Sequence, residues 1–359
     1  MKLLKDILYK VSIVDVAGST NLAIPSLCFH SREAKKDCLF IAVRGTKTDG
    51  HQFLSQVADE GAIAIICEEF PAEMNERITY VKVKNTSEAL GIISSNFYDN
   101  PSSKLKLVGI TGTNGKTTTA TLLYNLFRSF GYGVGLISTV RIKINSEEIP
   151  ATHTTPDALT LNKLLAQMVE RGCRYCFMEV SSHAVIQGRI SGVEFAGAVF
   201  TNITHDHLDY HKTFDEYIMA KKKIFDLLPA DAFALVNIDD ANGEVMVQNC
   251  KAQKKTYSLK ASADFKCRIM ENQFTGLLLN VDGIEVWSKL IGNFNAYNIL
   301  AVYAAAVLLR EEKMNVLTTI STLDAVEGRF QCVRTNKGLI GIVDYAHTPD
   351  ALQNVLKTI

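Results

Sequence analysis

Short apolar runs and longer amphipathic segments alternate along residues 105–330. The apolar runs predict buried strands, and apolar positions that recur every three or four residues predict helices. Alternation of the two favours an α/β fold, a largely parallel sheet with helices on both faces. The predicted strands are 105–111, 133–138, 175–180, 196–201 and 232–237, and the predicted helices are 116–130, 157–171, 214–228 and 295–310.

The first hundred residues repeat this pattern on a smaller scale. Predicted strands at 38–43, 62–67 and 78–83 are separated by helical stretches. Residues 98–104 are rich in Pro, Ser and Asn, which is typical of a linker. The pattern therefore predicts an N-terminal domain at 1–102 and a central domain at 103–331.

The end of the chain follows a different pattern. Residues 264–290 predict a β-hairpin region with turns at 273–276 and 281–283, and 338–343 predicts one more strand, followed by a helix. A lone strand and helix cannot bury a core. We therefore expect 332–359 to begin a third domain, the remainder of which is absent.

Composition narrows the class of protein. A length of 359 residues with 47% apolar and 21% charged residues predicts a globular chain of at least two domains. The net charge of zero indicates no electrostatic footprint for nucleic acid or an anionic membrane. No apolar run is long enough to span a bilayer, and the charged N-terminus does not resemble a signal peptide.

The eight cysteines are scattered through the sequence, several of them in apolar runs. This distribution predicts free buried thiols and a reducing, cytoplasmic location. Cys173 and Cys176 form a Cys-x-x-Cys pair, but no second ligand pair accompanies them, so a core strand is favoured over a redox or zinc site.

Residues 107–119 carry the strongest chemical signal, because an apolar run leads through a glycine-rich turn into a helix. Backbone N–H groups of such a loop, together with the helix N-terminus, bind phosphate. Lys116 can reach terminal phosphates, and the Thr117 hydroxyl can ligate Mg²⁺. The standard P-loop pattern has glycine five residues before Gly115, where this chain has Ile110. We expect binding of ATP or GTP.

Two polar motifs follow predicted strands, where ligands of open α/β sheets bind. Glu179 lies in the first, Glu-Val-Ser-Ser-His, and it is either a Mg²⁺ ligand or a solvent-exposed carboxylate; a packing role is favoured for His183. The second, residues 205–211, has three histidines and two aspartates in seven residues, yet it lacks the usual zinc spacings. A loop beside the phosphates, with Asp206 or His207 near Mg²⁺, fits it better.

Two helical motifs leave alternatives open. Lys221–Lys223 indicates a solvated helix face. Alternatively, one of these lysines is carbamylated, which makes it a carboxylate-like ligand and requires a depressed lysine pKa.

Asn295 and Asn298 share one helix face and could bind a purine edge, whereas capping of the helix by Asn293 or Asn295 is the alternative.

The order of these motifs closely resembles that of the Mur ligase family, in particular the UDP-N-acetylmuramoyl-tripeptide synthetases, over the whole length. The markers are Gly112–Thr118, Glu179–His183, Asp206–His211, Gly328–Arg329 and Asp344–Asp350. The last favours the branch that adds the third amino acid. The resemblance implies a uridine-nucleotide domain, a central ATPase domain and a Rossmann-like third domain, of which 332–359 is a stub.

The resemblance also implies a reaction. ATP phosphorylates the carboxylate of UDP-MurNAc-L-Ala-D-Glu, and the amine of the incoming amino acid displaces phosphate from the acyl phosphate through a tetrahedral intermediate. meso-Diaminopimelate is favoured and L-lysine remains open, because the family's specificity motif lies in the third domain. We expect a monomeric chain that binds the nucleotides, with Mg²⁺, but ligates poorly or not at all.

The family's residue roles carry over position by position. The implied catalytic residues are Lys116, Glu179, His207 and Lys221, the last as a carbamate. The implied metal ligands are Thr117, Glu179, His207 and the carbamylated Lys221. The implied ATP contacts are Gly112, Thr113, Asn114, Gly115, Lys116, Thr117, Thr118, Asn295, Asn298, Arg329 and Asp344, with His347 beside the hinge. The implied substrate contacts are Ser31, Arg32, Thr46, Lys47, Thr48, His153, Thr154, Thr155, Ser181, Gln187 and Arg189.

Two other functions remain open. A folylpolyglutamate synthetase-like ligase shares the ATP loop, but the domain ahead of that loop and the motif at Asp344–Asp350 count against it. A nucleotide-sugar-binding or ATP-binding module without ligase activity is the alternative from another class.

Overall fold

The computed structural model describes residues 1–45, 48–151, 153–204, 213–334, 340–346 and 349–359. These residues form two compact units, each assembled from separate stretches of chain. The first unit comprises Met1–Lys104, Pro156–Glu170 and His183–Val193, and the second comprises Leu105–Thr155, Arg171–Ser182 and Glu194–Ile359. None of the helices in the described ranges is long and apolar enough to cross a membrane.

The described part of the first unit contains a five-stranded sheet. Its strands Leu39–Ile41 and Ala64–Cys67 are fully buried, as is typical of parallel strands covered on both faces. Ile13–Ala17 is antiparallel to its neighbour and lies at an edge. The strand order is Ile13–Ala17, Thr79–Val83, Ala64–Cys67, Leu39–Ile41, Leu27–Cys28, and a separate small sheet pairs Lys2–Leu3 with Ala23–Ile24.

Helices cover this sheet and supply its core. Thr86–Phe97 begins at Asn85, whose side chain accepts a hydrogen bond from the Glu88 N–H at 2.9 Å. This helix packs against Ala158–Glu170. The α-helices lying wholly within the unit are Leu4–Ile7, Leu54–Asp59, Thr86–Phe97 and Ala158–Glu170, and the 3₁₀ helices are Ser31–Glu33, Gly50–Phe53 and Pro101–Lys104.

The segment 98–104, predicted as a linker, contains the 3₁₀ helix Pro101–Lys104. Pro101 and Ser102 are buried, and this turn packs against Ala158–Glu170. The composition of this segment correctly predicted an irregular backbone. Its burial could not be predicted from neighbouring residues, because it depends on contact with a helix more than fifty residues away in the sequence.

The described part of the second unit contains an eleven-stranded sheet. Its central strands are parallel, and antiparallel pairs extend it at both edges. The strand order is Glu147–Pro150, Arg141–Ile144, Val134–Ile137, Tyr175–Glu179, Lys106–Thr111, Gly197–Phe200, Phe233–Asn237, Gln253–Ser258, Phe265–Gln273, Gly276–Val281, Ile284–Ser288. The predicted α/β class with a mostly parallel sheet is thereby confirmed.

The α-helices lying wholly within the second unit are Lys116–Ser129, Phe214–Asp226, Gly243–Met246, Asn293–Leu308, Lys313–Ile320 and Pro349–Thr358. Lys116–Ser129 and Asn293–Leu308 pack against each other and share one large apolar core with the sheet. A short helix, Ser182–Ile186, has its first residue in this unit and its remainder in the first unit. Near the C-terminus, Gln331–Arg334 pairs with Ile340–Val343.

The predicted strands and helices of residues 105–310 are confirmed within a few residues at each end. The prediction missed the hairpin Arg141–Pro150, the strands Gln253–Ser258 and Gln331–Arg334, and the helix Lys313–Ile320. The hairpin strands read Arg-Ile-Lys-Ile and Glu-Glu-Ile-Pro, so neither contains a continuous apolar run like those that predicted the buried strands.

Gly91 tests how closely residues 183–193 pack on the helix Thr86–Phe97. An added Cβ at this helical position would lie 2.4 Å from the Ser191 carbonyl oxygen. We expect Gly91→Ala to lower the free energy of unfolding by about 1–3 kcal/mol, because of overpacking, although alanine in an open helical site stabilises by roughly 0.5–1 kcal/mol. Urea denaturation measures the change.

Ser55→Ala, at an exposed position of the helix Leu54–Asp59, is the control for that measurement. A Gly91→Ala protein as stable as the control variant would contradict the close contact at Ser191.

Candidate active site

Three parallel strands end side by side in the second unit. Lys106–Thr111 lies between Tyr175–Glu179 and Gly197–Phe200, with Ile110 opposite Glu179 and Thr111 opposite Phe200. The chain segments that follow these strands therefore meet at one edge of the sheet, where ligands of open α/β sheets bind. The glycine-rich loop, Glu179 and Thr201 lie together at this edge.

The loop between strand and helix requires glycine at two positions. Gly115 precedes the helix Lys116–Ser129 with φ +85°, a left-handed conformation that residues with a Cβ rarely adopt. At Gly112 a Cβ would lie 1.9 Å from the Thr201 hydroxyl oxygen. Ile110, where the standard pattern has glycine, is fully buried within the strand, so this loop starts later along the chain.

Two lysines converge on the carbonyl oxygen of Gly112. Lys116 Nζ donates to it at 2.9 Å and to the Thr113 carbonyl at 2.7 Å. Lys221 Nζ donates to the same Gly112 oxygen at 2.8 Å and lies 4.5 Å from the centre of the Tyr217 ring. Both ammonium groups are thus held at the phosphate-binding loop.

The solvated helix face predicted for Lys221–Lys223 is wrong at two positions. Lys221 and Lys222 are each only 2% exposed, and only Lys223 of the three is exposed. Lys222 forms an ion pair with Asp226 at 2.6 Å on the same helix. A charge run predicts a polar face only where no buried acceptor is available, and here the Gly112 carbonyl and the Asp226 carboxylate are available.

Glu179 is fully buried, so its interpretation as a solvent-exposed carboxylate is wrong. Its two carboxylate oxygens accept hydrogen bonds from the backbone N–H of Thr139 at 2.8 Å and from the Thr139 hydroxyl at 3.1 Å. The Glu179 carbonyl accepts from the Thr155 hydroxyl at 2.8 Å. Sequence analysis missed Thr139, which lies in no recognisable motif.

The segment after Phe200 braces the glycine-rich loop. Asn202 accepts from the Asn114 N–H at 2.9 Å and donates to the Asn114 carbonyl at 3.1 Å. The Thr201 hydroxyl donates to that same carbonyl at 2.6 Å. Residues 201–204 thus lie beside the glycine-rich loop. Residues 205–211, for which we predict a loop beside the phosphates with Asp206 or His207 near Mg²⁺, lie outside the described residues.

A cavity of about 590 Å³ opens at this edge of the sheet. Its polar part is formed by the glycine-rich loop and the strand ends, and its aromatic part by Tyr257, Phe294, Tyr297 and Tyr345. The other lining residues are Thr113, Asn114, Gly115, Lys116, Thr117, Thr118, Thr139, Thr154, Glu179, Thr201, Asn202, Thr204, Asn237, Asn293, Asn298, Arg329, Asp344, Ala346, Ala351, Asn354 and Val355. The cavity thus combines the residues of the glycine-rich loop with aromatic and amide side chains, a combination that suits a nucleotide.

The Tyr297 side chain is fixed at this cavity by Asp239, which accepts its hydroxyl hydrogen bond at 3.0 Å. Burial raises the pKa of Tyr297 well above its ordinary value. Burial also acts to raise the pKa of Asp239, but hydrogen bonds from Ser258, the Leu259 N–H and Tyr297 outweigh it, and the pKa falls below its usual value. Asp239 therefore remains an acceptor that orients the ring.

The two asparagines of the helix Asn293–Leu308 have different positions. Asn298 lines the cavity, whereas Asn295 is buried, donates to the Ile291 carbonyl at 2.8 Å and accepts from Asn298 at 2.9 Å. Neither Asn293 nor Asn295 caps the helix, which is preceded by Gly292 without a side-chain cap. Asn295 thus orients Asn298.

Asp344 also lines the cavity, and its two carboxylate oxygens accept hydrogen bonds from the backbone N–H groups of Phe330 and Ala346, each at 2.7 Å. It thereby ties together the chain segments on either side of it. His347, predicted beside it, lies outside the described residues.

The oxygen atoms at the loop fit a hard cation. The Thr117 hydroxyl and the Glu179 carboxylate line the same cavity as Lys116, and Mg²⁺ prefers such ligands. The Thr117 oxygen accepts from Arg329 Nη2 at 2.9 Å, while Arg329 Nε is buried without a partner among the described residues. The site therefore offers donors for phosphate and oxygens for Mg²⁺.

The predicted substrate contacts are distributed over both units. The first unit contains Ser31, Arg32, Thr48, Gln187 and Arg189. Within it, the Arg189 guanidinium donates two hydrogen bonds to the Gln187 side-chain oxygen, at 2.9 and 2.6 Å. The second unit contains the predicted substrate contacts His153, Thr154, Thr155 and Ser181. Among the predicted substrate contacts that the structure describes, only Thr154 lines the cavity. Thr46 and Lys47 lie outside the described residues.

Thr48 lies between residues of a polar network that sequence analysis missed. Arg44 pairs with Glu68 at 3.0 Å. His51 Nδ1 lies 2.7 Å from the Asp49 carboxylate, and its Nε2 accepts the Glu68 N–H at 2.8 Å. These contacts fix the orientation of the His51 ring.

Comparison with known proteins agrees with this geometry. Residues 110–306 match the Mur ligase middle domain, and residues 24–98 match the Mur ligase family catalytic domain. The chain therefore belongs to the Mur ligase family, whose members are ATP-dependent ligases that use ATP with Mg²⁺.

Its similarity to individual relatives is high. A UDP-N-acetylmuramoyl-L-alanyl-D-glutamate–2,6-diaminopimelate ligase from Cytophaga hutchinsonii is 59% identical, over 99% of this chain and 74% of the relative. A ligase of the same name from Bacteroides fragilis is 53% identical, over 99% and 73%. A solved structure of such a ligase superimposes with a TM-score of 0.84 at 27% identity, over 99% of this chain and 74% of that one.

Asn202 tests the bracing of the phosphate loop. We expect Asn202→Ala to weaken ADP binding about 10-fold, because two hydrogen bonds that hold Asn114 are lost and each contributes roughly 0.5–1.5 kcal/mol. Isothermal titration calorimetry measures the affinity, with Asn249→Ala at an exposed position as the matched control. Unchanged ADP affinity in Asn202→Ala would show that the loop keeps its shape without this brace.

Proposed function

We propose that this protein joins meso-2,6-diaminopimelate to UDP-MurNAc-L-Ala-D-Glu with ATP, in the synthesis of peptidoglycan precursors. The observation that carries this proposal is the 59% identity, over 99% of the chain, to a ligase named for that reaction. The cavity supports it, because it combines a phosphate loop with a buried carboxylate. We place the protein in the bacterial cytoplasm, acting as a monomer.

Phosphoryl transfer depends mainly on positioning and charge neutralisation. In our proposal the substrate carboxylate is the nucleophile toward the γ-phosphate of ATP, so no side chain has to attack. Lys116 leaves the Gly112 and Thr113 carbonyls to bind the terminal phosphates, and Arg329 donates from its Nε, which has no partner in the described ranges. Mg²⁺, held by Thr117 and Glu179 with His207, would supply further positive charge.

The remaining binding roles follow the family pattern. We assign the uridine nucleotide to Ser31, Arg32 and the segment Thr46–Thr48. Arg189, fixed by Gln187, is suited to a substrate carboxylate because a guanidinium binds carboxylates with two parallel donors. The peptide contacts His153, Thr154, Thr155 and Ser181 complete the assignment, and Asn298 with Asp344 would border the ATP.

We also propose that Lys221 becomes carbamylated and then serves as a metal ligand. Its burial and its position at the phosphate loop support this assignment, although its contacts with Gly112 and Tyr217 are those of an ammonium group. Carbamylation would exchange these cationic contacts for oxygen ligands.

Nuclear magnetic resonance with isotopically labelled bicarbonate tests this modification. We expect a carbamate carbon signal in the wild type that is absent from Lys221→Ala and retained in Lys222→Ala. A wild-type protein without the signal, at saturating bicarbonate and Mg²⁺, would contradict the carbamylation while leaving the ligase assignment standing.

Calorimetric titration with UDP-MurNAc-L-Ala-D-Glu tests the substrate assignment. We expect micromolar affinity, weakened about 10-fold by Ser31→Ala and by Arg189→Ala, since loss of a hydrogen bond to a charged group costs roughly 1.5–3 kcal/mol. Ser55→Ala, exposed in the first unit, is the control.

Titration with a tetrahydrofolate completes this test, because it is the substrate class of the alternative ligase. Binding of the folate and not of the nucleotide sugar would overturn the proposal. Binding of ADP alone would favour a non-catalytic nucleotide-binding module.

A further inference from the structure

We propose that Thr139 is a positioning residue, which fixes the Glu179 carboxylate for cation binding and connects it to the acceptor contact Thr154. This inference rests on the proposed function, in which Glu179 holds Mg²⁺ and Thr154 contacts the acceptor peptide.

The strand Val134–Ile137 runs parallel to Tyr175–Glu179, with Ile137 opposite Met178. Ser138 and Thr139 follow this strand, and Thr139 lies within hydrogen-bonding distance of Glu179, the residue after Met178. The Ser138 hydroxyl donates to the Arg141 carbonyl at 2.8 Å and accepts from the Arg141 N–H at 3.1 Å. These bonds close a tight turn, which holds the Thr139 backbone in place.

Thr139 provides two donors to one carboxylate. Its N–H donates to Oε1 of Glu179 at 2.8 Å, and its hydroxyl donates to Oε2 at 3.1 Å. A buried carboxylate needs hydrogen bonds to offset its lost hydration. Because each oxygen receives one donor from the same residue, the plane of the carboxylate is fixed, and further lone pairs remain for a cation on each oxygen.

The same hydroxyl is also connected to the acceptor side of the cavity. The Thr139 and Thr154 hydroxyl oxygens are 3.1 Å apart. Since Thr139 has a single hydroxyl proton and the carboxylate attracts it, Thr154 supplies the proton between the two hydroxyls. The next residue, Thr155, donates to the Glu179 carbonyl and accepts the Ser181 N–H at 3.2 Å.

These contacts have a functional consequence. Removing a residue that hydrogen-bonds to a metal ligand typically changes metal affinity 10–100-fold. A peptide that binds Thr154 would change the hydrogen bond between the Thr154 and Thr139 hydroxyls, and through it the hydrogen bond from Thr139 to Glu179. Thr139 is thereby the connection between the acceptor peptide and the cation-binding carboxylate.

The test uses Mn²⁺, a spectroscopically visible substitute for Mg²⁺, titrated into the full chain with saturating ADP and followed by electron paramagnetic resonance. We expect Thr139→Val, which keeps the shape and loses the hydroxyl, to weaken Mn²⁺ binding about 10-fold. Thr139→Ser should restore the affinity, because it restores the hydroxyl. ADP affinity without metal should be the same in all three proteins, which a general loss of structure would not allow.

Two further variants make the outcome decisive. Thr318→Val, at an exposed helical position, should leave Mn²⁺ affinity unchanged. Glu179→Gln should weaken Mn²⁺ binding at least as much as Thr139→Val does. If Thr139→Val binds Mn²⁺ like the wild type, or if Thr139→Ser is as weak as Thr139→Val, the positioning role is overturned.

This experiment also separates the inference from the proposed function. If Glu179→Gln has no effect, the metal assignment itself is wrong, and the inference fails with it. If the Thr139 and Glu179 effects are found but the nucleotide sugar does not bind, the positioning role stands and only the substrate assignment fails.

Discussion

The shared ending of three parallel strands is the constraint on which the candidate site depends. Lys106–Thr111 is hydrogen-bonded on both sides, so its neighbours Tyr175–Glu179 and Gly197–Phe200 reach the same edge. A shift of either neighbour by one residue would turn its side chains to the opposite face. Glu179 would then leave the cavity, and Thr201 would no longer meet the glycine-rich loop.

Three cationic side chains lie at this edge of the sheet. Lys116 and Lys221 are held by backbone carbonyls, and Arg329 by the Thr117 hydroxyl and the Tyr345 ring. Neutral partners such as these hold a cation in place without cancelling its charge. An arriving phosphate therefore meets donors that are already oriented, and electrostatic pre-organisation of this kind lowers the cost of binding an anion.

The sequence predicted the features that are local in the chain. The glycine-rich loop, the strand ahead of it and Glu179 at a strand end follow from consecutive residues, and the structure has them as predicted. Thr139 and Asn202 were missed because their partners lie 40 and 88 residues away. The burial of Lys221 was missed for the same reason, since the Gly112 carbonyl that receives it is 109 residues distant.

The interleaving of the two units has a consequence for synthesis of the chain. The polypeptide passes from one unit to the other at 104–105, 155–156, 170–171, 182–183 and 193–194. The first unit obtains the helix Ala158–Glu170 and the segment His183–Val193 only after the first strands of the second unit have been made. During translation it stays incomplete until residue 193 has left the ribosome, so the growing chain must keep an unfinished apolar surface from aggregating over nearly a hundred residues of elongation.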